Sequence, residues 1–385
     1  MNRNRRFVAS AAALIALAVT APLAGAGTAL AAEPAGPRAE VSASVQLELP
    51  APTGKFAVGR KELHLVDRGR TDPWVPSAGP RELMVSVHCP AARKGTRDTS
   101  PYMTQGEARL LLEGMRRAEE FPADLLAGTR TNSRPDARPL PGKYPLVLLS
   151  PGYSLHRSTL TLLAEELASR GYVVAAMDHA YESFGTRFPG GRTLTLVKAP
   201  SAQVVPVRAA DASFVLDRLL DRRGPFAHLV DRRRIGMAGH SIGGNGAAAA
   251  MAADPRIGAG ANLDGAFFDT LPGAGLKGRP FLLLGTDATH RPGGKGQWGE
   301  AWAAMDGWKR WLTVAGTGHF SFNDVPVLGG QLGVVDPAAP LPGARSGEIT
   351  RTYVAAFFDR HLKGKATPLL DGPTAANPEV AFHNP

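Results

Sequence analysis

Short, unbroken apolar runs alternate along this chain with longer stretches in which apolar residues recur every three or four positions. Leu146-Val147-Leu148-Leu149-Ser150 is the clearest run, the pattern of a strand covered on both faces. Residues 158–170 then carry apolar positions at helical spacing, and Gly171 is placed to end that helix. The alternation continues with a strand over 172–177, a helix over 209–220, a strand over 234–238 and an Ala-rich helix over 244–253. Further strands are predicted at 258–263, 280–284 and 311–314, and an amphipathic helix over 348–362 closes the series. Ahead of this half, 63–66 and 83–87 read as strands, 105–120 as a helix and 128–143 as a Pro- and Arg-rich loop. Strands alternating with helices predict an α/β fold with a mostly parallel central sheet and helices on both faces. Ligands of such sheets gather at the carboxyl ends of the strands. No internal repeat is visible.

The ends of the chain follow other rules. Residues 1–31 read as a signal peptide: Arg3, Arg5 and Arg6 precede an apolar run, and Ala29-Leu30-Ala31 suits signal peptidase. The apolar stretch is short for a membrane span and Pro22 interrupts it, so a secreted, extracellular protein is expected. Arg5-Arg6 hints at twin-arginine export, but the surrounding residues fit that signal poorly. Residues 32–55, rich in Ala, Pro and Glu, read as a flexible linker, 56–370 as the folded domain and 371–385 as a C-terminal tail.

Composition narrows the function classes. With 44% hydrophobic and 20% charged residues in 385, the chain is of ordinary globular make-up. Its formal charge of +10 comes from scattered basic residues, as at Arg116-Arg117 and Arg222-Arg223, without interleaved aromatics. That argues against nucleic acid as a partner and is compatible with transient contact with a lipid surface. Cys89 is the only cysteine, so no intramolecular disulfide can form, and its alternating surroundings predict a buried, inert thiol. His64, His88, His156 and His179 lack metal-ligand spacing, and neither a metal nor an organic cofactor is expected.

Gly239-His240-Ser241-Ile242-Gly243 is a G-x-S-x-G sequence. Alone it is weak, but an apolar strand runs into it and an Ala-rich helix leaves it, the setting a nucleophile elbow needs. The bland alternative is a Gly-rich turn without catalysis. A phosphate loop fits worse, since no Lys follows the glycines. A serine hydroxyl attacks only when a base takes its proton. His319 follows the last parallel strand, where that base belongs, whereas His361 falls in the closing helix and His383 in the tail. His290 lies after the penultimate strand, where the acid is usually found. Two aspartates end strands in the right interval for the acid, Asp264 and Asp287, and topology alone permits either. An oxyanion hole needs two backbone N–H groups. Ile242, after the nucleophile, is one candidate, and Tyr153, in the turn Ser150-Pro151-Gly152-Tyr153, is the other.

These pieces carry a resemblance. Ser150-Pro151-Gly152-Tyr153, the run Val173-Val174-Ala175-Ala176-Met177-Asp178-His179, Gly239 to Gly244, Asn262-Leu263-Asp264-Gly265 and Gly318-His319-Phe320 resemble bacterial relatives of plasma-type platelet-activating-factor acetylhydrolases, over about residues 83–364. The resemblance implies the α/β-hydrolase fold, Asp264 as the acid, His319 as the base and short-acyl phospholipids as substrates. The Ser-Pro-Gly-Tyr turn is similar also to actinobacterial cutinases and polyester hydrolases, in which Asp287 would be the acid. Against that branch stand Ala266 at the position of its clamping Trp, the lone cysteine and the extra N-terminal segment. Ser150-Pro151-Gly152 also departs from the Ser-His-Gly of the animal acetylhydrolases.

The expectation is therefore ester hydrolysis through Ser241, His319 and Asp264 with an acyl-enzyme. Residues 181–206 read equally as an ordinary surface loop or as a segment lining or covering the site, with Gly185, Gly190 and Gly191 allowing motion and Phe184 and Phe188 contacting an acyl chain. From another class comes a catalytically dead hydrolase fold used as an extracellular binding module, which the full set of Ser, His and Asp disfavours. Head group, chain length and oligomeric state are not encoded in any motif.

Overall fold

The computed structural model describes residues 45–92, 99–119, 121–268, 275–294 and 298–385, so the signal-peptide reading lies outside the described residues. A long strand β1 (Ala57–Thr71) turns back into β2 (Pro80–Ala91), and helices α1 (Gln105–Gly114) and α2 (Ala123–Ala127) precede a short β3 (Ser133–Pro135). The alternating half then runs β4 (Tyr144–Ser150), α3 (Thr161–Ser169), β5 (Val173–His179), a hairpin of β6 (Thr186–Arg187) and β7 (Thr193–Leu194), α4 (Ser201–Leu220), β8 (Val230–His240) and α5 (Ile242–Ala253). It continues β9 (Ala259–Leu263), β10 (Phe281–Thr286), α6 (Asp287–His290), α7 (Trp298–Ala304), β11 (Lys309–Val314), α8 (Val325–Gln331), α9 (Gly343–Lys363) and β12 (Val380–His383).

The main sheet has ten strands in the order β12-β11-β10-β9-β8-β4-β5-β2-β1-β3. From β5 to β11 neighbouring strands are parallel, and antiparallel pairs lie towards the edges. This is the predicted α/β architecture. Its central strands β4 and β5 are buried at every residue but Tyr144, because helices cover both faces. Alternate residues of β4 divide between the layers. Leu146 and Leu148 pack with α4 and α5, whereas Val147 and Leu149 pack with α3 and α9. The chain passes from β4 to β5 on one side and returns to β8 on the other, so the turns after β4 and β8 flank a topological switch point, where such sheets bind ligands.

Several boundaries differ from the sequence reading. α1 stops at Gly114, where a side chain would collide with the Phe184 ring, instead of running to 120. α4 begins at Ser201 and includes Pro206, which forfeits a helical hydrogen bond only near the exposed helix start. The described end of the linker is packed: Leu47 and Leu49 are buried against Tyr102, Leu111, Leu162 and Val327, and the Thr53 amide donates to Glu166 at 2.8 Å. The tail supplies β12, antiparallel to β11, and so completes an edge of the sheet. Cys89 is buried, and burial pushes its thiol up to about 11. Among the described residues no helix is long and apolar enough to cross a membrane.

Candidate active site

Ser241 sits between β8 and α5 at φ 57°, ψ −129°, a strained conformation for a residue with a side chain. Its amide donates to Leu263 O at 2.8 Å, and its carbonyl accepts from Gly244 N at 2.8 Å. The turn is so tight that a Cβ at Gly243 would overlap the Ser150 carbonyl oxygen, and one at Gly265 would overlap that of Ser241. This backbone lifts the Ser241 hydroxyl out of the sheet at the carboxyl ends of its parallel strands.

His319 Nε2 lies 2.9 Å from Ser241 Oγ, and its Nδ1 lies 2.6 Å from Asp264 Oδ2. The three residues that the sequence singled out are thus in line. Asp264 is buried at the end of β9, also at positive φ, and its second oxygen accepts the Thr286 amide at 2.6 Å. Asp287 points elsewhere: it accepts from Thr313 Oγ1 at 3.0 Å and lies 4.0 Å from Arg291. Asp264 is buried beside the half-exposed His319 imidazole, so its carboxylate is kept from free water while the ring stays accessible from outside.

The amides of Tyr153 and Ile242 meet no protein acceptor among the described residues, which leaves both N–H groups free to donate. The Tyr153 ring packs with Ile242, Val204 and Val205, and its hydroxyl donates to Val197 O and accepts from Ala199 N. That much of the segment 181–206 does adjoin the site. The lid reading is corrected at three of its residues, Phe184, Phe188 and Gly185, whereas Gly190 and Gly191 lie at positive φ in open space. Phe188 is buried against Met84 and Ala180, Phe184 fills the space beside Gly114, and a Cβ at Gly185 would overlap Leu110. Both aromatics and that glycine serve packing.

Four further residues support this arrangement. Asn262 donates to Gly265 O at 2.8 Å and accepts from Gly265 N at 2.7 Å, holding the turn that carries Asp264. His290 stacks on Trp298 at 4.1 Å and brings Nε2 within 3.5 Å of Asp264 Oδ1. His240 Nε2 donates to the His319 carbonyl at 2.7 Å, tying the His319 loop to the elbow. Asn262 was present in the Asn-Leu-Asp-Gly motif, and His240 stood inside the G-x-S-x-G sequence. No local pattern marks His290 or Trp298, which reach Asp264 through the fold.

His240 is buried, and burial, with His319 next, pushes its imidazole down to about 3. His88 is likewise lowered to about 3 by burial and then by the Arg60 guanidinium. Above pH ~6.5 both rings are neutral folded and unfolded, so neither makes stability depend on pH. As pH falls from ~6.5 towards 3 the unfolded chain takes up protons that the fold excludes, so stability drops by up to ~1.4 kcal/mol per pH unit for each ring. Denaturant titrations at pH 7, 6 and 5 are expected to show this slope, and His88→Gln to make it shallower. Equal slopes would mean that His88 is not held neutral.

Comparison with known proteins places the chain in a family. A family model described as PET hydrolase-like matches residues 136–267. A probable 1-alkyl-2-acetylglycerophosphocholine esterase from Arthroderma benhamiae is 33% identical over 374 residues, covering 87% of this chain and 93% of that protein. The platelet-activating factor acetylhydrolase of Cavia porcellus is 27% identical over 152 residues, 32% of this chain and 35% of its own. A ferulic acid esterase from Streptomyces cinnamoneus, of known structure, is 45% identical with a TM-score of 0.80, covering 88% of this chain and 100% of that one. Matched to an esterase along almost the whole of that relative's length, the chain belongs to the platelet-activating-factor acetylhydrolase-like family of α/β-hydrolases and is a carboxylic ester hydrolase.

Proposed function

We propose that residues 45–385 are the catalytic domain of a secreted serine esterase that works through Ser241, His319 and Asp264. His319 Nε2 takes the hydroxyl proton as Ser241 Oγ attacks the ester carbonyl. The oxyanion accepts hydrogen bonds from the Tyr153 and Ile242 amides. The carbon–oxygen bond to the leaving group breaks, and His319 returns the proton to the departing alkoxide. Water then attacks the acyl-enzyme with His319 again as base, freeing the acid and restoring the Ser241 hydroxyl. Asp264 holds Nδ1–H and stabilises the imidazolium. The observation that carries this reading is the unbroken series of contacts, 2.9 Å from Ser241 to His319 and 2.6 Å from His319 to Asp264. The Ser-Pro-Gly-Tyr turn and the PET hydrolase-like match speak for the Asp287 arrangement, but it is Asp264 that lies 2.6 Å from His319, while Asp287 accepts from Thr313.

For the substrate we propose short-acyl phospholipids, supported by the relative matched over 93% of its length. A second reading, an aryl ester such as a ferulate, is favoured by the 45% identity to the ferulic acid esterase. Export is supported by the basic start, the apolar run and Ala29-Leu30-Ala31. The test is to express residues 1–385, recover protein from the medium and read its first residue, expected to be Ala32. That protein is assayed on a 1-alkyl-2-acetylglycerophosphocholine, methyl ferulate and p-nitrophenyl acetate, butyrate and palmitate. Acetate release from the phospholipid, with kcat/KM above that for methyl ferulate, is expected. The reverse order selects the aryl ester. If no ester is turned over in a Ser241-dependent way, the esterase proposal fails and the binding module takes its place.

A further inference from the structure

A second Ser–His–Asp series lies under the first. Ser150 Oγ is 2.9 Å from His179 Nε2, and His179 Nδ1 is 2.8 Å from Asp211 Oδ2. All three residues are buried, at 0%, 2% and 0% exposure, so no substrate reaches them. Burial, with the Arg208 guanidinium next, lowers the His179 pKa and keeps its ring neutral. Despite burial, the Arg81 guanidinium and the His179 hydrogen bond hold the Asp211 carboxyl below its ordinary range. The protons then have one consistent arrangement. His179 Nδ1–H donates to the Asp211 carboxylate, Ser150 Oγ–H donates to His179 Nε2, and Ser150 Oγ remains free to accept.

What it accepts is Arg208 Nη1–H, at 3.1 Å. The same Nη1 donates to the Pro151 carbonyl, and Arg208 Nε donates to Glu182 Oε2 at 2.8 Å. Arg208 comes from α4 and is 1% exposed. Glu182 in turn accepts the Ser154 amide on its backbone carbonyl at 2.7 Å, and Trp74 Nε1–H on its side chain at 2.9 Å. The turn from Ser150 to Ser154 is therefore held on both sides of Tyr153. Arg208 grips the carbonyl two residues before it, Glu182 grips the amide one residue after it, and Ser154 is forced to φ 69°.

We infer that Arg208, braced by Ser150, His179, Asp211 and Glu182, is a positioning residue that aims the Tyr153 amide at the oxyanion. It touches no substrate and acts through the turn. The inference rests on the oxyanion hole proposed above. A guanidinium is needed because one group must reach Ser150, Pro151 and Glu182 at once from fixed donor directions, which the single ammonium of a lysine cannot do. An oxyanion donor matters in the transition state far more than in the ground state, so displacing it lowers kcat and spares KM.

The test compares wild type, Arg208→Lys and the milder Ser150→Ala on p-nitrophenyl butyrate, with inhibition by a trifluoromethyl ketone, whose serine adduct carries an oxyanion. Removing an oxyanion donor outright costs roughly 100- to 1,000-fold in kcat. Arg208→Lys, which misaims it, is expected to lose about 10- to 100-fold in kcat and an equal factor in ketone affinity. KM is expected to stay within about threefold and the circular dichroism spectrum unchanged. Ser150→Ala is expected to move the same two quantities together by a smaller factor. A folded Arg208→Lys with unchanged kcat and ketone affinity overturns the inference. So does a fall in kcat with no loss of ketone affinity. If Arg208→Lys does not fold, Ser150→Ala decides by the same comparison. Wild type that shows no Ser241-dependent turnover refutes the esterase reading itself, a result distinct from either failure.

Discussion

Asp264→Asn is expected to cut kcat on short-acyl esters about ten-thousand-fold, while Asp287→Asn keeps it within about twofold. The asymmetry follows from what each carboxylate touches. Asp264 uses one oxygen for the Thr286 N–H at 2.6 Å and the other for His319 Nδ1 at 2.6 Å. An asparagine in the same place must keep its oxygen on the Thr286 amide, because two N–H groups cannot face each other. Its NH2 then faces His319 Nδ1 and demands an acceptor there, which puts the imidazole proton on Nε2. That tautomer cannot take the Ser241 proton. Asp287 is partly exposed and accepts from Thr313 Oγ1, a bond that an asparagine oxygen also makes. Steady-state kcat on p-nitrophenyl butyrate separates the cases. A dead Asp287→Asn beside an active Asp264→Asn would transfer the acid to the end of β10 and with it the polyester-hydrolase arrangement.

The acid shows where sequence reasoning stops. Asp264 and Asp287 both end apolar strands after Ser241, and hydropathy cannot say towards which of them a loop twenty or more residues away will lean. Only a resemblance to a family separated them in the sequence. Ser241 and His319 were easier, because a G-x-S-x-G turn between a buried strand and a small-residue helix is a local pattern with a steric cause. The parallel core was legible for the same reason: short unbroken apolar runs such as Leu146 to Leu149 of β4 have few other uses. Leu47 and Leu49 were missed because their two-residue alternation is short and set among Ala, Pro and Glu. The tail was missed because β12 is an edge strand, whose burial depends on β11 being there to pair with it. Phe184 and Phe188 were misread since exposure to an acyl chain and burial in a core ask for the same side chain. Arg208 is the extreme case. In sequence it is one more arginine in a basic chain, and only its convergence with Ser150, Pro151 and Glu182 distinguishes it.

Ser241→Ala is expected to lower kcat about a million-fold, and His319→Ala by a similar factor, with the double variant no worse than either. In the mechanism proposed above the three side chains act as one device, so losing any indispensable part removes nearly all that the device contributes. The residual rate reports the Tyr153 and Ile242 amides and substrate binding alone. Stability at this residue is expected to depend on the Cβ and not on the hydroxyl. Ser241 is held at φ 57°, ψ −129°, where a Cβ costs about 1–3 kcal/mol. Ser241→Ala keeps that Cβ and should leave stability unchanged. Ser241→Gly removes it and, after the roughly 0.5–1 kcal/mol entropic penalty of glycine, should stabilise the fold by about 1 kcal/mol. Denaturant midpoints of wild type and both variants, with m-values compared, measure this. A Ser241→Gly midpoint at or below that of Ser241→Ala would mean that the elbow is relaxed. The hydroxyl would then be presented by the packing of Gly239, Gly243 and Gly265 around it and not by stored backbone strain.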